Sequence, residues 1–275
     1  MIEKKQSAFT RTAIYVLLIG LTTITLLPLV WMFSASLKLD SEVFTVPIKW
    51  LPETFHWENY PKVWEKIDFA TFSFNSIKLT VIITIIQVIT CSFAAYGFSK
   101  CNFRGRDTLF LCYVGTIAIP WQTYMLPQYS LMRTLGGVDT HWGYIALQAF
   151  SAFGVFRQFY QGIPNELLEA ARIDGLSEYG IYARIVLPLA KPALTTLTIF
   201  TFVTIWNDFM GPMIYINTES LKTIPLGIRM FLGQYSTSYE LIMAASVMSL
   251  LPVFALYIPC QRFFVQGVAT SGLKG

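Results

Sequence analysis

Segments free of Asp, Glu, Lys and Arg recur along the chain at residues 12–37, 79–99, 108–132, 140–156, 192–207 and 241–261. Each is apolar through most of its length, the pattern expected when lipid is the solvent. Together they predict an all-α membrane protein with six transmembrane helices. At about 1.5 Å of rise per residue, a hydrocarbon core of about 30 Å takes roughly 20 residues, so the fourth and fifth segments are short. The fourth extends to Arg157, whose long side chain can snorkel, and the fifth past Asp208 through Met213, Ile214 and Tyr215. Pro28, Pro120, Pro127, Pro212 and Pro252 lie in or at the ends of these segments and predict kinked helices.

Six spans place both termini on one side, and basic residues decide which. The N-terminal arm, the segments after the second and fourth spans, and the tail hold 12 of the 20 Lys and Arg, giving that side +6 against −2 opposite. Both termini are therefore expected in the cytoplasm. The first segment follows Lys4, Lys5 and Arg11 as a signal peptide would. Its 26 residues exceed an h-region, and Trp31, Met32 and Phe33 do not resemble a cleavage site, so it is expected to remain as a span.

Composition supports the membrane class: of 275 residues 54% are hydrophobic and 13% charged, with a mean hydropathy of +0.53. Soluble domains carry about a quarter charged residues. The net charge of +4, without a basic tract, excludes nucleic acid as a partner. Cys91, Cys101, Cys112 and Cys260 all fall outside the outer loops and imply no disulfide framework. The outer loop 38–78 carries Trp50, Phe55, His56, Trp57, Tyr60 and Trp64, read either as an interfacial aromatic belt or as a dock for an external partner. Two histidines, His56 and His141, are too few for a metal centre or proton relay.

Between the fourth and fifth segments lies an inner stretch, 158–191, far longer than neighbouring spans need. Pro164 and Asn165 can open a helix, Glu166 and Glu169 suit its positive end, and Gly175 can end it in the left-handed conformation. Ser177 can cap a second helix pairing Ile181 with Ile185 and Tyr182 with Val186, until Pro188 and Pro192 stop it. Two short helices bent at a glycine result. Ala170 and Ala171 present nearly flat surface beside two carboxylates, which would let another protein approach closely and place a cation on Glu169. The alternative is a pair between Glu169 and Arg172 at i, i+3 on one helix.

The run E169-A-A-R-I-D174-G175-L-S-E-Y-G-I-Y-A-R-I185-V-L187-P188 resembles the EAA loop of permease subunits of bacterial ATP-binding-cassette importers: EAA, two residues, DGA, eight residues, I, one residue, LP. Leu176 stands where that family has alanine. F72-S-F-N75-S76, F103-R104-G105-R106, W206-N207-D208-F209 and the run from Gln261 to Gly275 are similar to the carbohydrate-uptake branch, specifically the shorter permease of the maltose-type pair. The resemblance implies a type I ABC importer permease fold in a bacterial plasma membrane, with Glu169, Ala170, Ala171, Asp174, Gly175 and Pro188 coupling to an ATPase. It implies a second permease subunit, two ATPase subunits and an extracellular or periplasmic sugar-binding protein as partners. Residues 1–71 would form the arm, first span and outer loop, 72–262 the permease core, and 263–275 a cytoplasmic tail.

The chain has no GxxxxGK[ST] loop, so no cofactor is expected in it; ATP and Mg would be bound by the partner ATPase. HExxH, GxSxG and a Ser/His/Asp set are missing too, so no enzyme activity is expected. The spans carry almost no ionisable group for ion coupling. Asp208 is the exception, about 24 Å along the fifth span from Pro192. With Trp206 and Asn207 it offers a stacking face, an amide and a carboxylate suited to a sugar along the substrate path, or it marks the end of a short helix. Other readings are a permease for glycerol phosphate or a polyol, and a membrane scaffold or enzyme that binds a cytosolic partner.

Overall fold

The computed structural model describes residues 8–149, 156–233 and 237–272. In chain order the helices are α1 (Ala8–Ala35), α2 (Asp40–Val43), α3 (Asn59–Lys66), α4 (Phe69–Lys100), α5 (Arg106–Ile117), α6 (Trp121–Thr134), α7 (His141–Gln148), α8 (Phe156–Gln161) and α9 (Asn165–Ile173). They continue with α10 (Glu178–Ile181), a π-helical turn (Tyr182–Val186), α11 (Leu187–Leu189), α12 (Lys191–Trp206), α13 (Met210–Tyr215), α14 (Ile224–Arg229) and α15 (Tyr239–Gly272). Among the described residues no strand forms beyond one isolated bridge between Leu232 and Thr237.

Three helices are long and apolar enough to cross a membrane unbroken, within Phe9–Ala35, Phe69–Lys100 and Tyr239–Gln261, which are the first, second and sixth expected spans. The third is a broken pair rather than a kinked rod: α5 and α6 meet at 97°, with Pro120 at the break. The fourth expected span, 140–156, is seen as α7, and residues 150–155 lie outside the described residues. The fifth is α12, joined at 78° to the helix Glu178–Leu189.

Two sequence expectations are corrected here. The fifth span does not continue through Tyr215 as one helix. It stops at Trp206, and α13 starts afresh at Met210 because Asp208 turns its carboxylate onto the Gly211 N–H, at 3.1 Å. Nor does Pro188 stop its helix, which runs on to Leu189. The ring and missing N–H of a proline conflict with the carbonyl four residues earlier. Here the preceding turn is widened to π geometry, and the chain bends only at Ala190.

The chain divides into two compact units, one formed by the residues up to Phe69 with Ile228–Leu251, the other by Ala70–Gly227 with the residues from Pro252 on. In the first, the loop after α1 folds on itself. Lys38 is fully buried with its ammonium 4.2 Å from the centre of the Trp31 ring and bonded to the Lys49 carbonyl. Asn59 donates to the Ser36 and Lys38 carbonyls at 3.0 and 2.8 Å. Of the loop aromatics, Trp50 packs edge-on against Trp31, and Trp57 stacks between Phe55 and Tyr60.

The second unit is organised on α4, whose polarity is inverted relative to a helix in water. Ile85 and Ile89 are 53% and 50% exposed, while Gln87 and Ser92 are each 2% exposed. Asn75, Ser76, Thr80, Thr84, Gln87, Ser92 and Tyr96 form a buried stripe at helical spacing. A lipid-facing surface must be apolar and buried polar groups need partners, so this stripe fixes what packs on α4. Asn75 donates to the Ser220 and Lys222 carbonyls, Ser76 accepts from the Ile224 N–H, and Gln87 donates to the Gln148 carbonyl. Ser92 Oγ lies 2.6 and 2.7 Å from the hydroxyls of Tyr160 and Tyr182. Lys100 donates to Asn165 Oδ1 at 2.8 Å and to the Ile163 carbonyl.

Replacing Ser92 with Ala removes the oxygen shared by two buried tyrosines. The expected cost is about 1–3 kcal/mol, read as a lower melting temperature of the detergent-solubilised protein, with Ser92→Thr closer to the parent.

Candidate functional site

The segment expected to bend does so as its residues dictate. Pro164 is the N-cap of α9 with φ −58° and ψ 135°, a conformation its ring favours. At the other end the Gly175 N–H bonds the Arg172 carbonyl and the Leu176 N–H the Ala171 carbonyl, both at 3.0 Å. This pair is the Schellman closure, and Gly175 has the φ of +81° that it requires. No atom lies within 4 Å of a Cβ added at Gly175, so conformation rather than space demands glycine there. Leu176, where the resembling family has alanine, packs partly buried against the cluster of Ala171, Ile181 and Val186. Ser177 then caps α10 by accepting the Gly180 N–H at 3.2 Å.

The coupling candidates divide by burial. Ala171 faces the core, whereas Glu169, Ala170, Asp174, Gly175 and Pro188 are exposed. The expected alternative partner of Glu169 is engaged elsewhere. Arg172 reaches forward across the bend to Glu178, Nε to Oε1 at 2.8 Å, and leaves the Glu169 carboxylate facing solvent. Tyr96 of α4 donates to the other oxygen of Glu178 at 2.7 Å. Arg172 and Glu178 are 41% and 49% exposed in their side chains, so their pair contributes only about 0.2–1 kcal/mol and acts chiefly on orientation. Ile173 and Tyr179, on either side of the bend, are 86% and 78% exposed.

Trp206, Asn207 and Asp208 do not form a common face. Trp206 is buried and stacks on Phe202, ring centroids 5.9 Å apart and planes 8° apart. Asn207 is exposed and donates to the Val203 carbonyl of its own helix at 2.8 Å. Asp208 accepts from Tyr144 Oη at 2.7 Å and from Gln148 Nε2 at 3.1 Å, tying α7 to the break between α12 and α13. Gly211 closes this cluster: a Cβ there would lie 2.4 Å from Asp208 Oδ2 and 2.8 Å from a Tyr144 ring carbon.

Sequence reasoning missed a second cluster, built on Asp139. Its carboxylate accepts the backbone N–H groups of Asn217 and Thr218 and the Thr218 hydroxyl, at 2.8, 2.8 and 2.6 Å. These donors hold the Asp139 carboxyl below its usual range. The signal was a lone aspartate before Thr140 and His141, whose ring lies 2.9 Å from the Leu221 carbonyl. The loop 217–224 is thereby fastened near the start of α4, about 30 Å along that helix from Tyr96, close to one hydrocarbon thickness.

Helices that bury polar stripes, present apolar faces and carry a bent amphipathic segment define a multi-pass membrane protein. The chain matches the model of the family described as binding-protein-dependent transport system inner membrane component over residues 9–267, and it belongs to that family. Members of that family are transport components. It is 32% identical over 257 residues, 92% of each chain, to the arabinooligosaccharides transport system permease protein AraQ of Halalkalibacterium halodurans. It is 31% identical over 265 residues, 93% of this chain and 94% of the other, to the sn-glycerol-3-phosphate transport system permease protein UgpE of Yersinia enterocolitica. Among solved structures, a chain of a bacterial ABC transporter involved in the import of the acidic polysaccharide alginate superposes with a TM-score of 0.79. That match covers 96% of this chain and 99% of that one at 24% identity, and it shows the ABC permease fold.

Asp208→Ala strips Tyr144 and Gln148 of a shared acceptor and is expected to destabilise by about 1–3 kcal/mol. Gly175→Ala adds left-handed strain without a clash and is expected to cost about 1–2 kcal/mol. Thermal melting of the two purified variants checks both.

Proposed function

We propose that this chain is one permease subunit of an ATP-driven sugar importer, forming half of the translocation path and coupled to a separate ATPase through residues 158–191. The observation that carries this is the bent arm itself. Glu169 stands unengaged on an exposed helix face beside Ala170, Gly175 makes the bend, and Pro188 lies two residues before the break at Ala190 that leads into α12. The free carboxylate and flat surface suit a basic residue in a cleft of another protein, with Ile173 and Tyr179 as apolar contacts beside it.

In this reading the chain has six spans with both termini in the cytoplasm of a bacterium. It pairs with a second permease subunit over two ATPase subunits that bind ATP and Mg. A sugar-loaded receptor docks on the side opposite the arm, where Asp139 holds the loop 217–224. ATP-driven closure of the ATPases moves the arm, and the arm switches the spans between inward and outward access. Asn207 and Asp208 lie along the path, Asp208 by holding α7 against α13, while Trp206 supports them from the core.

A sugar is favoured as solute because relatives named for arabinooligosaccharide and for melibiose, raffinose and stachyose import align over 92% and 90% of this chain. Glycerol phosphate is the second reading, favoured by the relative named for it.

Glu169→Lys reverses the charge offered to the ATPase at an exposed position, so the protein is expected to fold normally. Its yield of co-purifying ATPase and its receptor-stimulated ATP hydrolysis are each expected to fall about tenfold or more, given coupling energies of 1–3 kcal/mol. Parent-like values for both would refute the assignment.

A further inference from the structure

We propose that Glu178 is the positioning residue that locks the bent arm to α4, so that α4, rather than α12, receives the motion of the ATPase. The inference rests on the coupling role proposed above for residues 158–191. The arm has two routes into the spans. The covalent one leads through Pro188 into α12, and it contains a π turn and a 78° break at Ala190, both places where a push is absorbed. The other runs through side chains into one stretch of α4, and it contains no such break.

On that route Glu178 is the junction. Its carboxylate takes Arg172 from α9, on the far side of the glycine bend, through both oxygens, Nε to Oε1 at 2.8 Å and Nη2 to Oε2 at 3.4 Å, and Oε2 also accepts the Tyr96 hydroxyl from α4 at 2.7 Å. Glu178 itself begins α10, so one carboxylate closes the angle between the two arms and fastens both to the span. The neighbouring residues of α4 complete the seat. Phe93 stacks on Tyr182 with ring centroids 4.5 Å apart, and Ser92 meets Tyr182 and Tyr160. Glu169 contacts none of this set and is left for docking. Two glutamates nine residues apart thus divide the work, one engaging the ATPase and one holding the lever to what it moves.

The experiment uses the whole transporter, with its partner permease and ATPase subunits, in lipid nanodiscs. Spin labels at Leu167→Cys on α9 and Ile89→Cys on the exposed face of α4 report the separation of arm and span, without nucleotide and after trapping with ATP and vanadate. In the parent the separation is expected to stay constant, the two elements moving as one body. In Tyr96→Phe, which keeps the ring and removes one hydroxyl, and in Glu178→Gln, it is expected to shift on trapping by roughly 2 Å or more, the scale of helix shifts in switching proteins. The double variant is expected to move no further than Glu178→Gln alone, as members of one network are not additive. A parent separation that changes on trapping, or variants that stay constant, would overturn the role of Glu178 and leave the docking assignment standing. An arm to which no ATPase binds would overturn both.

Discussion

The second unit of this protein depends on the buried polar stripe of α4. In a membrane a helix gains nothing by turning apolar residues inward, because lipid is as apolar as a protein core. The directional constraint comes instead from groups that lipid cannot satisfy. Asn75, Gln87, Ser92, Tyr96 and Lys100 each find a partner on a different neighbour: the 217–224 loop, α7, α8 and the π turn, α10, and the start of α9. Each bond is worth little alone. Together they allow one arrangement, since any slip along α4 would strand several buried groups.

The same constraint makes the bent arm a defined object rather than a loop. Tyr160, Leu168, Ile181, Tyr182 and Val186 are buried in one cluster with Cys91, Ala95 and Tyr96 of α4, so the arm shares a core with the span. Its outer surface keeps carboxylates and large apolar side chains, Ile173 and Tyr179 most of all, in solvent. A segment so divided, fixed on one side and open on the other, suits a part that must bind reversibly without deforming.

Much of this was legible in the residues. Lengths of uncharged sequence located three spans whole, and Pro164, Gly175 and Ser177 marked the caps where they occur. Local signals of that kind are read from one or two residues. What could not be read depended on distant partners. The separation of Trp206, Asn207 and Asp208 onto unlike surroundings follows from Tyr144 and Gln148, some sixty positions earlier. Arg172 chose Glu178 over Glu169 because the glycine turn folds α10 back within reach. The stripe on α4 was present in the sequence as Asn, Ser, Thr and Gln at helical spacing, but a search for charged residues in spans passes over neutral ones.

The widened turn at Tyr182–Val186 gives a physical meaning to a spacing that otherwise looks like mere bookkeeping. A π turn holds one residue more than its α counterpart, so the eight positions between Leu176 and Ile185 act as a ruler. Deleting one of them would either abolish the widened turn or rotate Ile185, Leu187 and Pro188 by about 100° about the helix axis. The length of that gap is therefore as much a part of the structure as the residues that bound it.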